Sequence, residues 1–284
     1  MITPPEIKTT AEARRWSDSL APAWERYRDR LFASHRLVSD WLVDQIDPQP
    51  GQTILELAAG PGETGFLVAE RLGPQGALIC TDFAPGMVDA ARRGAGTRGL
   101  ENVEYRVMDA ECIDMADECV DGVLCRFGLM LMARPFDAAR GARRILRPGG
   151  RFAYAVWGPP QENRWMTILG IAMGAAGHGV PGGGPFDYGG PFSLATPQLN
   201  RDLLDETGFR DIQIEKLVEV LHFDDFEDYW AVQSRVSGAM GQYLSGLTAS
   251  EASPIREALR PLMAPFQMGT GYAFPSVVLG ASGT

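Results

Sequence analysis

The stretch ILELAAGPGETG, residues 54–65, carries the strongest fold signal in the chain. Its apolar start, over residues 53–57, predicts a strand that is buried on both faces. Gly60, Gly62 and Gly65 follow in the spacing G-x-G-x-x-G and open a helical stretch. A strand that runs through such a turn into a helix is typical of the nucleotide-binding half of a Rossmann-like fold.

Strand-like and helical runs alternate along the chain from this turn onward. The alternation implies right-handed βαβ crossovers, and so a doubly wound α/β fold with a mostly parallel, seven-stranded sheet. Ligands of such sheets lie beyond the carboxyl ends of the strands. The last predicted strand, 271–279, contains Pro275, which has no N–H and therefore indicates an edge or a bulge. The other predicted strands are 77–81, 103–108, 120–125, 152–157 and 212–220, and the predicted helices after the glycine turn include 64–72, 85–93, 135–146 and 199–207.

The composition argues against several classes of function. The chain has a formal net charge of -10 and a pI of about 4.9, so its average surface repels the phosphates of nucleic acid. No stretch is apolar enough to span a membrane, and the start MITPPEIKTT lacks the pattern of an export signal. The four cysteines show no metal-binding spacing. We expect a cytoplasmic protein without a metal site that acts on a small molecule, with a homodimer left open.

One acid distinguishes between the cofactors that the glycine turn can hold. Glu56 lies four residues before Gly60, at the strand end where a dinucleotide would place its pyrophosphate. A carboxylate repels a diphosphate but attracts the ammonium and sulfonium groups of S-adenosylmethionine. Asp82, about 20 residues on, can accept from ribose hydroxyls of either cofactor. Asp109 and Ala110 follow the third strand, where they can contact an adenine edge.

Two alternatives stay open at this stage. The glycine spacing and Asp82 would also suit an NAD(P)-dependent oxidoreductase. A non-catalytic partner subunit could keep the cofactor site and lack an acceptor. Binding of NAD(P) without binding of S-adenosylmethionine would identify the oxidoreductase. Cofactor binding without methyl transfer to any compound would identify the partner subunit.

Taken together, these segments resemble the class I S-adenosylmethionine-dependent methyltransferases, in particular the branch of ubiquinone/menaquinone biosynthesis enzymes. The resemblance covers residues 24–165 and is carried by ELAAGPGETG, TDFAPGMVDAAR, VMDAE, CRFGLMLMARP and ILRPGGRFAYAVW. It implies an enzyme that moves the methyl group of S-adenosylmethionine by in-line displacement onto a small organic acceptor. A quinone, a phenol, an amine and a carbon nucleophile are all compatible with it.

The resemblance also implies an organisation and a set of cofactor contacts. N-terminal helices in residues 1–50 would close over the cofactor, residues 51–157 would bind it, and residues 158–284 would supply a helical and loop lid and the last strands. Ala58 stands where many members have glycine, and Ala84 where many have serine. The cofactor-binding residues it implies are Trp24, Tyr27, Glu56, Ala58, Gly60, Gly62, Asp82, Phe83, Met87, Asp109, Ala110, Cys125, Arg126 and Phe127.

An acceptor that must lose a proton needs a base, and histidine is the usual one. Of His35, His178 and His222, we predict His178 as the catalytic candidate because it lies in a glycine-rich loop beside aromatic residues. Arg126 is expected to pair with a carboxylate of the protein, or else to face an anionic acceptor. The aromatic residues predicted to line a lid over a flat acceptor are Trp157, Trp165, Phe186, Tyr188, Phe192, Tyr229 and Trp230.

Overall fold

The computed structural model describes residues 10–179, 187 and 189–284, so the predicted lid residues Phe186 and Tyr188 lie outside the described residues. The helices are α1 (Thr10–Ser34), α2 (Arg36–Ile46), α3 (Glu63–Leu72), α4 (Pro85–Arg98), α5 (Pro135–Ile145), α6 (Arg164–Ala175), α7 (Pro197–Glu206), α8 (Phe226–Val236), α9 (Gly238–Ser245) and α10 (Ala249–Met263). The strands are β1 (Thr53–Leu57), β2 (Ala77–Asp82), β3 (Val103–Val107), β4 (Val120–Arg126), β5 (Leu146–Trp157), β6 (Gln213–Phe223), β7 (Gln267–Met268) and β8 (Gly271–Gly283).

The strands form one sheet in the order β3-β2-β1-β4-β5-β8-β6, and the short β7 pairs with β8. Neighbours from β3 through β5 are parallel, whereas β8 is antiparallel to both β5 and β6. This confirms the predicted doubly wound, mostly parallel sheet of seven main strands. The order reverses beside β1, which has β2 on one side and β4 on the other, and this reversal opens a crevice at their carboxyl ends.

The central strands are apolar because helices cover both faces of the sheet. Residues 54–57 of β1 are all buried, and so are residues 152–157 of β5. Helix α5 shows the matching pattern, since Ala138, Ala142 and Ile145 recur along one buried stripe. The core is thus built from local patterns that the sequence displays directly.

The edge position expected for Pro275 is wrong for the strand as a whole. Strand β8 lies inside the sheet, between β5 and β6, and Pro275 is in register with Val220 of β6. On the other side, the pairing with β5 begins only at Val278. Pro275 is therefore tolerated because its missing N–H falls where β8 has a partner on one side only.

Helix α1 crosses the open end of the parallel half of the sheet. It packs against α4, α8 and α3, and Glu25 forms a salt bridge with Arg93 of α4 at 2.6 Å. Arg30 of α1 pairs with Asp228 of α8. Helix α1 therefore connects the cofactor half of the molecule to the C-terminal helices. None of the helices in the described parts of the chain has the length and apolar character to cross a bilayer.

Candidate active site

The glycine turn between β1 and α3 keeps an open outer face. Gly60 and Gly62 have φ angles of 56° and 90°, in the left-handed region that favours glycine. A Cβ on Gly62 would lie 2.7 Å from the ring of Phe66, whereas a Cβ on Gly60 would meet no atom within 4 Å. The turn is thus fixed against the helix on one side and leaves room for a ligand on the other.

Two residues without glycine's freedom also adopt left-handed conformations at this edge. Ala58, directly after β1, has a φ of 49°, and Phe127, directly after β4, has a φ of 57°. Non-glycine residues in this region cost about 1–3 kcal/mol each and are concentrated at functional sites. A Cβ on Gly128 would lie 2.4 Å from the Cβ of Ala58, so the two strand ends meet in close contact.

The carboxylate of Glu56 is buried beneath the glycine turn, with 1% of the residue exposed. Its Oε1 accepts from the backbone N–H of Gly65 at 3.1 Å, and its Oε2 has no hydrogen-bond partner. Burial raises the pKa of Glu56 to about 8, against the opposing effects of Arg126 and the Gly65 N–H. The acid therefore takes the helix N-terminal N–H that a pyrophosphate would need, and keeps one acceptor unused.

Glu63 and Arg126 complete a buried set of charges around Glu56. Glu63 opens α3, lies 3.7 Å from the guanidinium of Arg28 on α1, and has a pKa raised mainly by burial. Arg126 lies over the ring of Phe127, and burial lowers the pKa of its guanidinium while Glu56, Glu63 and Glu219 raise it. Within the described residues Arg126 forms no salt bridge, so the predicted ion pair is not found there.

Asp82 ends β2 and faces the same turn. Its Oδ2 accepts from the N–H of Gly60 and its Oδ1 from the N–H of Ala84, both at 2.9 Å. Burial raises the pKa of Asp82 to about 6, opposed by these backbone hydrogen bonds. Each carboxylate oxygen can accept a second bond, so Asp82 can hold the loop and still accept from a ribose.

Helix α1 and the loop after β2 form a small apolar cluster of their own. Leu20 and Ala21 of α1 are buried against Ala84 and Met87, and Trp24 and Phe83 pack around them. The predicted contacts Trp24, Phe83 and Met87 therefore lie together. Tyr27, one turn further along α1, packs against the main core instead.

The loop after β3 is stabilised by its own acid. Asp109 accepts from the N–H of Glu111 at 2.9 Å through Oδ1, and Ala110 is 8% exposed. Asp109 thus has a structural role in the turn. A contact of Asp109 and Ala110 with adenine stays a prediction.

His35 and Glu219 lie near the ends of β4 and β5; His35 was a candidate base for which His178 was preferred, and Glu219 was not predicted. Phe127 and Trp157 stack with ring centroids 3.9 Å apart, and the His35 ring lies 5.1 Å and 5.3 Å from them. Nδ1 of His35 is 2.6 Å from Oε1 of Glu219 on β6. The alternation on β6, where Glu219 shares the buried face with Leu217, Leu221 and Phe223, was the available signal.

The predicted base and the described lid aromatics other than Trp157 lie in other surroundings. Nδ1 of His178 is 2.7 Å from the hydroxyl of Tyr243 on α9, and its catalytic role stays a prediction. Trp165 is buried, with its indole N–H directed to Asn163 and Ser276. The remaining members are Phe192 and Tyr229, which are buried in the core, and Trp230, which lies against Arg256.

The donor set fits S-adenosylmethionine better than a dinucleotide. A buried carboxylate oxygen of Glu56 without a partner is suited to an ammonium or sulfonium group, and Glu63 at the start of α3 adds a second acid. Asp82 can accept from the ribose, and the open face of Gly60 lets a cofactor approach the backbone. Arg126, with no salt bridge to the described residues, is available to a carboxylate of the ligand.

The chain is similar in sequence to known methyltransferases. Residues 54–150 match the methyltransferase domain model. A ubiquinone/menaquinone biosynthesis C-methyltransferase of Acidiphilium cryptum is 32% identical over 61% of this chain and 72% of its own length. An arsenite methyltransferase of Halobacterium salinarum is 28% identical over 73% of this chain, but the match spans only 48% of that relative.

A solved structure of the YcgJ protein of Bacillus subtilis shares the fold, with a TM-score of 0.61 at 16% identity over 88% of this chain and 98% of that one. The oxidoreductase alternative finds no support in these relatives. The buried acid beneath the glycine turn, the sheet order and the sequence relatives lead to one conclusion: the chain belongs to the family of S-adenosylmethionine-dependent methyltransferases.

Proposed function

We propose that this enzyme methylates a small, flat acceptor of the phenol or hydroquinone class, at oxygen or at an activated ring carbon. The observation that carries the proposal is the stacked pair of Phe127 and Trp157, whose centroids are 3.9 Å apart at the ends of β4 and β5. Phe127 is only partly buried, and an aromatic side chain beside a polar crevice suits a planar ring that bears hydroxyl groups. A relative named for C-methylation in quinone biosynthesis supports the same class.

The protein's task in such a reaction is to orient two ligands and exclude water. S-adenosylmethionine, when bound, supplies an electrophilic methyl group on its sulfonium. In our proposal Glu56 accepts from the cofactor's ammonium, and Asp82 accepts from its ribose. Trp24, Phe83 and Met87 enclose the adenine side, because α1 already docks there.

Arg126 is proposed to bind the carboxylate of the cofactor's amino acid portion. Its guanidinium interacts electrostatically with Glu56 and Glu63 but forms no salt bridge with the described residues. A zwitterionic ligand would meet a complementary charge on each side, since Glu56 faces a cation and Arg126 an anion. Binding would then place an ionised Glu56 against the ammonium of the ligand and Arg126 against its carboxylate.

The partner and location inferred from the sequence belong to the proposal as well. A net charge of -10 supports a small-molecule acceptor over nucleic acid. A cytoplasmic location and a homodimer stay predictions. Light scattering in solution gives the oligomeric state directly.

Calorimetry followed by a methylation assay tests the proposed function. We expect S-adenosylmethionine and S-adenosylhomocysteine to bind, and NAD(P) not to bind. Incubation with 2-methyl-1,4-naphthohydroquinone, a catechol and a primary amine should then give a product that is heavier by one methylene in the first two cases, detected by mass spectrometry. Binding without methylation of any phenolic acceptor would contradict the acceptor class, and binding of NAD(P) alone would contradict the cofactor.

A further inference from the structure

His35 and Glu219 form a buried pair that the cofactor site does not use. They are 184 residues apart in the chain, yet Nδ1 of His35 lies 2.6 Å from Oε1 of Glu219. Both residues are nearly buried, with 7% and 8% of their surfaces exposed. Oε2 of Glu219 has no hydrogen-bond partner. A buried acid that is only partly satisfied costs stability, so such a pair points to a role beyond packing.

The position of this pair relates it to the acceptor. The His35 ring contacts Phe127 and Trp157 edge to face, at centroid distances of 5.1 Å and 5.3 Å. These two rings follow β4 and end β5, on the same sheet edge as Glu56 and Asp82. A flat acceptor placed against the partly exposed Phe127 would therefore lie beside the His35 imidazole.

One further charge lies near the pair. Arg126, at the end of β4, interacts electrostatically with Glu219 of β6. Arg126, which is proposed above to bind the carboxylate of the cofactor, therefore adds a positive charge on the side of Glu219. The arrangement combines a histidine, an acid that orients it and a cation.

The hydrogen bond to Glu219 defines which nitrogen of His35 can act as a base. An ionised carboxylate only accepts, so Nδ1 carries the proton and donates it to Glu219. The lone pair of a neutral imidazole then lies on Nε2, and no described residue forms a hydrogen bond with that atom. An acid that holds the imidazole in one tautomer is the arrangement found in the Ser-His-Asp triad, where histidine serves as the general base.

We propose that His35 is the catalytic base of this enzyme and that Glu219 is its positioning residue. The proposal rests on the function proposed above, in which the acceptor carries an ionisable hydroxyl. Nε2 takes the hydroxyl proton while the acceptor's oxygen or ring carbon bonds to the methyl carbon. Where the ring carbon is methylated, the hydrogen on that carbon then transfers to the carbonyl oxygen that the step has formed, which restores the aromatic hydroxyl. The carbon–sulfur bond breaks, and its electron pair stays on sulfur as S-adenosylhomocysteine. The imidazolium then passes its proton to water.

The test uses His35→Gln and the wild-type enzyme with 2-methyl-1,4-naphthohydroquinone as the acceptor. We expect kcat to fall about 10²–10⁴-fold at pH 7, the range that a general base contributes. The remaining rate of the variant should rise about tenfold per pH unit until the hydroquinone itself ionises in solution, because ionised acceptor needs no base. Calorimetry should show that affinity for S-adenosylmethionine changes less than about twofold.

Further variants separate the base from a purely structural histidine. His35→Asn carries the same expectation, so the test does not depend on one variant folding. Glu219→Gln keeps a hydrogen-bond acceptor and should lose less rate than His35→Gln. The exposed His222, on the same strand as Glu219, provides the control His222→Gln, which should keep wild-type kcat.

Three outcomes would overturn the proposal. A wild-type pH profile and kcat in both His35 variants would show that the ring is structural. Loss of rate in His178→Gln alone would assign the base to the loop histidine instead. A wild-type enzyme that binds S-adenosylmethionine and methylates no hydroxylated acceptor would contradict the proposed function, and the need for a base with it.

Discussion

At the scale of single residues, the site depends on a few side chains held in costly states. Glu56 is buried with one unpaired oxygen, and Ala58 and Phe127 have left-handed backbones. Such energetically unfavourable states persist where the surrounding structure enforces them, and they are concentrated at ligand-binding sites. The same residues therefore give the most direct tests.

Cofactor binding should release a proton from Glu56. With a pKa of about 8 in the free protein, this carboxyl is mostly protonated at pH 7, whereas pairing with an ammonium requires the ionised form. We expect calorimetry in buffers of different ionisation enthalpy to show release of about one proton per S-adenosylmethionine bound. Glu56→Gln cannot ionise and should release close to none. Equal proton release by both proteins would contradict the contact.

Ala58 should be improved by glycine, although alanine is usually the more stable choice. At a φ of 49° the loss of Cβ relieves strain, and we expect Ala58→Gly to raise the free energy of unfolding by up to about 1 kcal/mol. The neighbouring Ala59 is not left-handed, so Ala59→Gly should lower it by about 0.5–1 kcal/mol. Urea unfolding of the three proteins measures both differences. A loss of stability in Ala58→Gly would contradict the strain.

At the scale of elements, α1 is held to the core by two kinds of contact. An apolar cluster around Leu20 and Met87 docks it over the loop after β2, and salt bridges connect it to α4 and α8. Exposed ion pairs contribute little, so the apolar cluster should dominate its docking. Docking of α1 is thus separable from folding of the sheet.

Leu20→Ala should loosen α1 selectively. Leu20 is 8% exposed, and replacement of such a leucine costs about 2–5 kcal/mol. We expect the amides of α1 to exchange faster with deuterium, and affinity for S-adenosylmethionine to fall, while amides of β1 and β4 keep their protection. Leu37 on α2 is 48% exposed, so Leu37→Ala is the matched control. Uniform loss of protection through the sheet would contradict separate docking.

Elements near the glycine turn were predictable because their signals are local. The apolar run of β1, the glycine spacing and the acid at Asp82 all lie within 30 residues of Thr53. The interior position of β8 could not be predicted from the sequence, because its insertion between β5 and β6 depends on the order of the strands in the sheet. The contact between His35, directly before α2, and Glu219 of β6 was not predictable either, because the two residues are 184 positions apart. Pairings across the whole chain leave little trace in any short window of sequence.

At the scale of the whole molecule, the site makes the free protein less stable as pH rises. Burial raises the pKa of Glu56 from 4.5 to about 8 and that of Asp82 from 3.8 to about 6. For each group the folded state holds its proton more tightly than the unfolded state does. The resulting stability is fully present below the unfolded value and is lost as pH rises through the folded one.

Glu56→Gln should therefore stabilise the free enzyme above neutral pH. Between pH 4.5 and 8, each rise of one pH unit lowers the free energy of unfolding of the wild type by about 1.4 kcal/mol through this group. From pH 5.5 to 8.5, the free energy of unfolding of the wild type should therefore fall by about 3 kcal/mol relative to that of the variant. Urea unfolding at both pH values measures the difference, with the exposed Glu101→Gln as control. A constant difference would contradict the buried charge. Saturating S-adenosylmethionine should stabilise the wild type more than the variant at pH 8.5, because only the wild type presents an ionised partner to the ammonium.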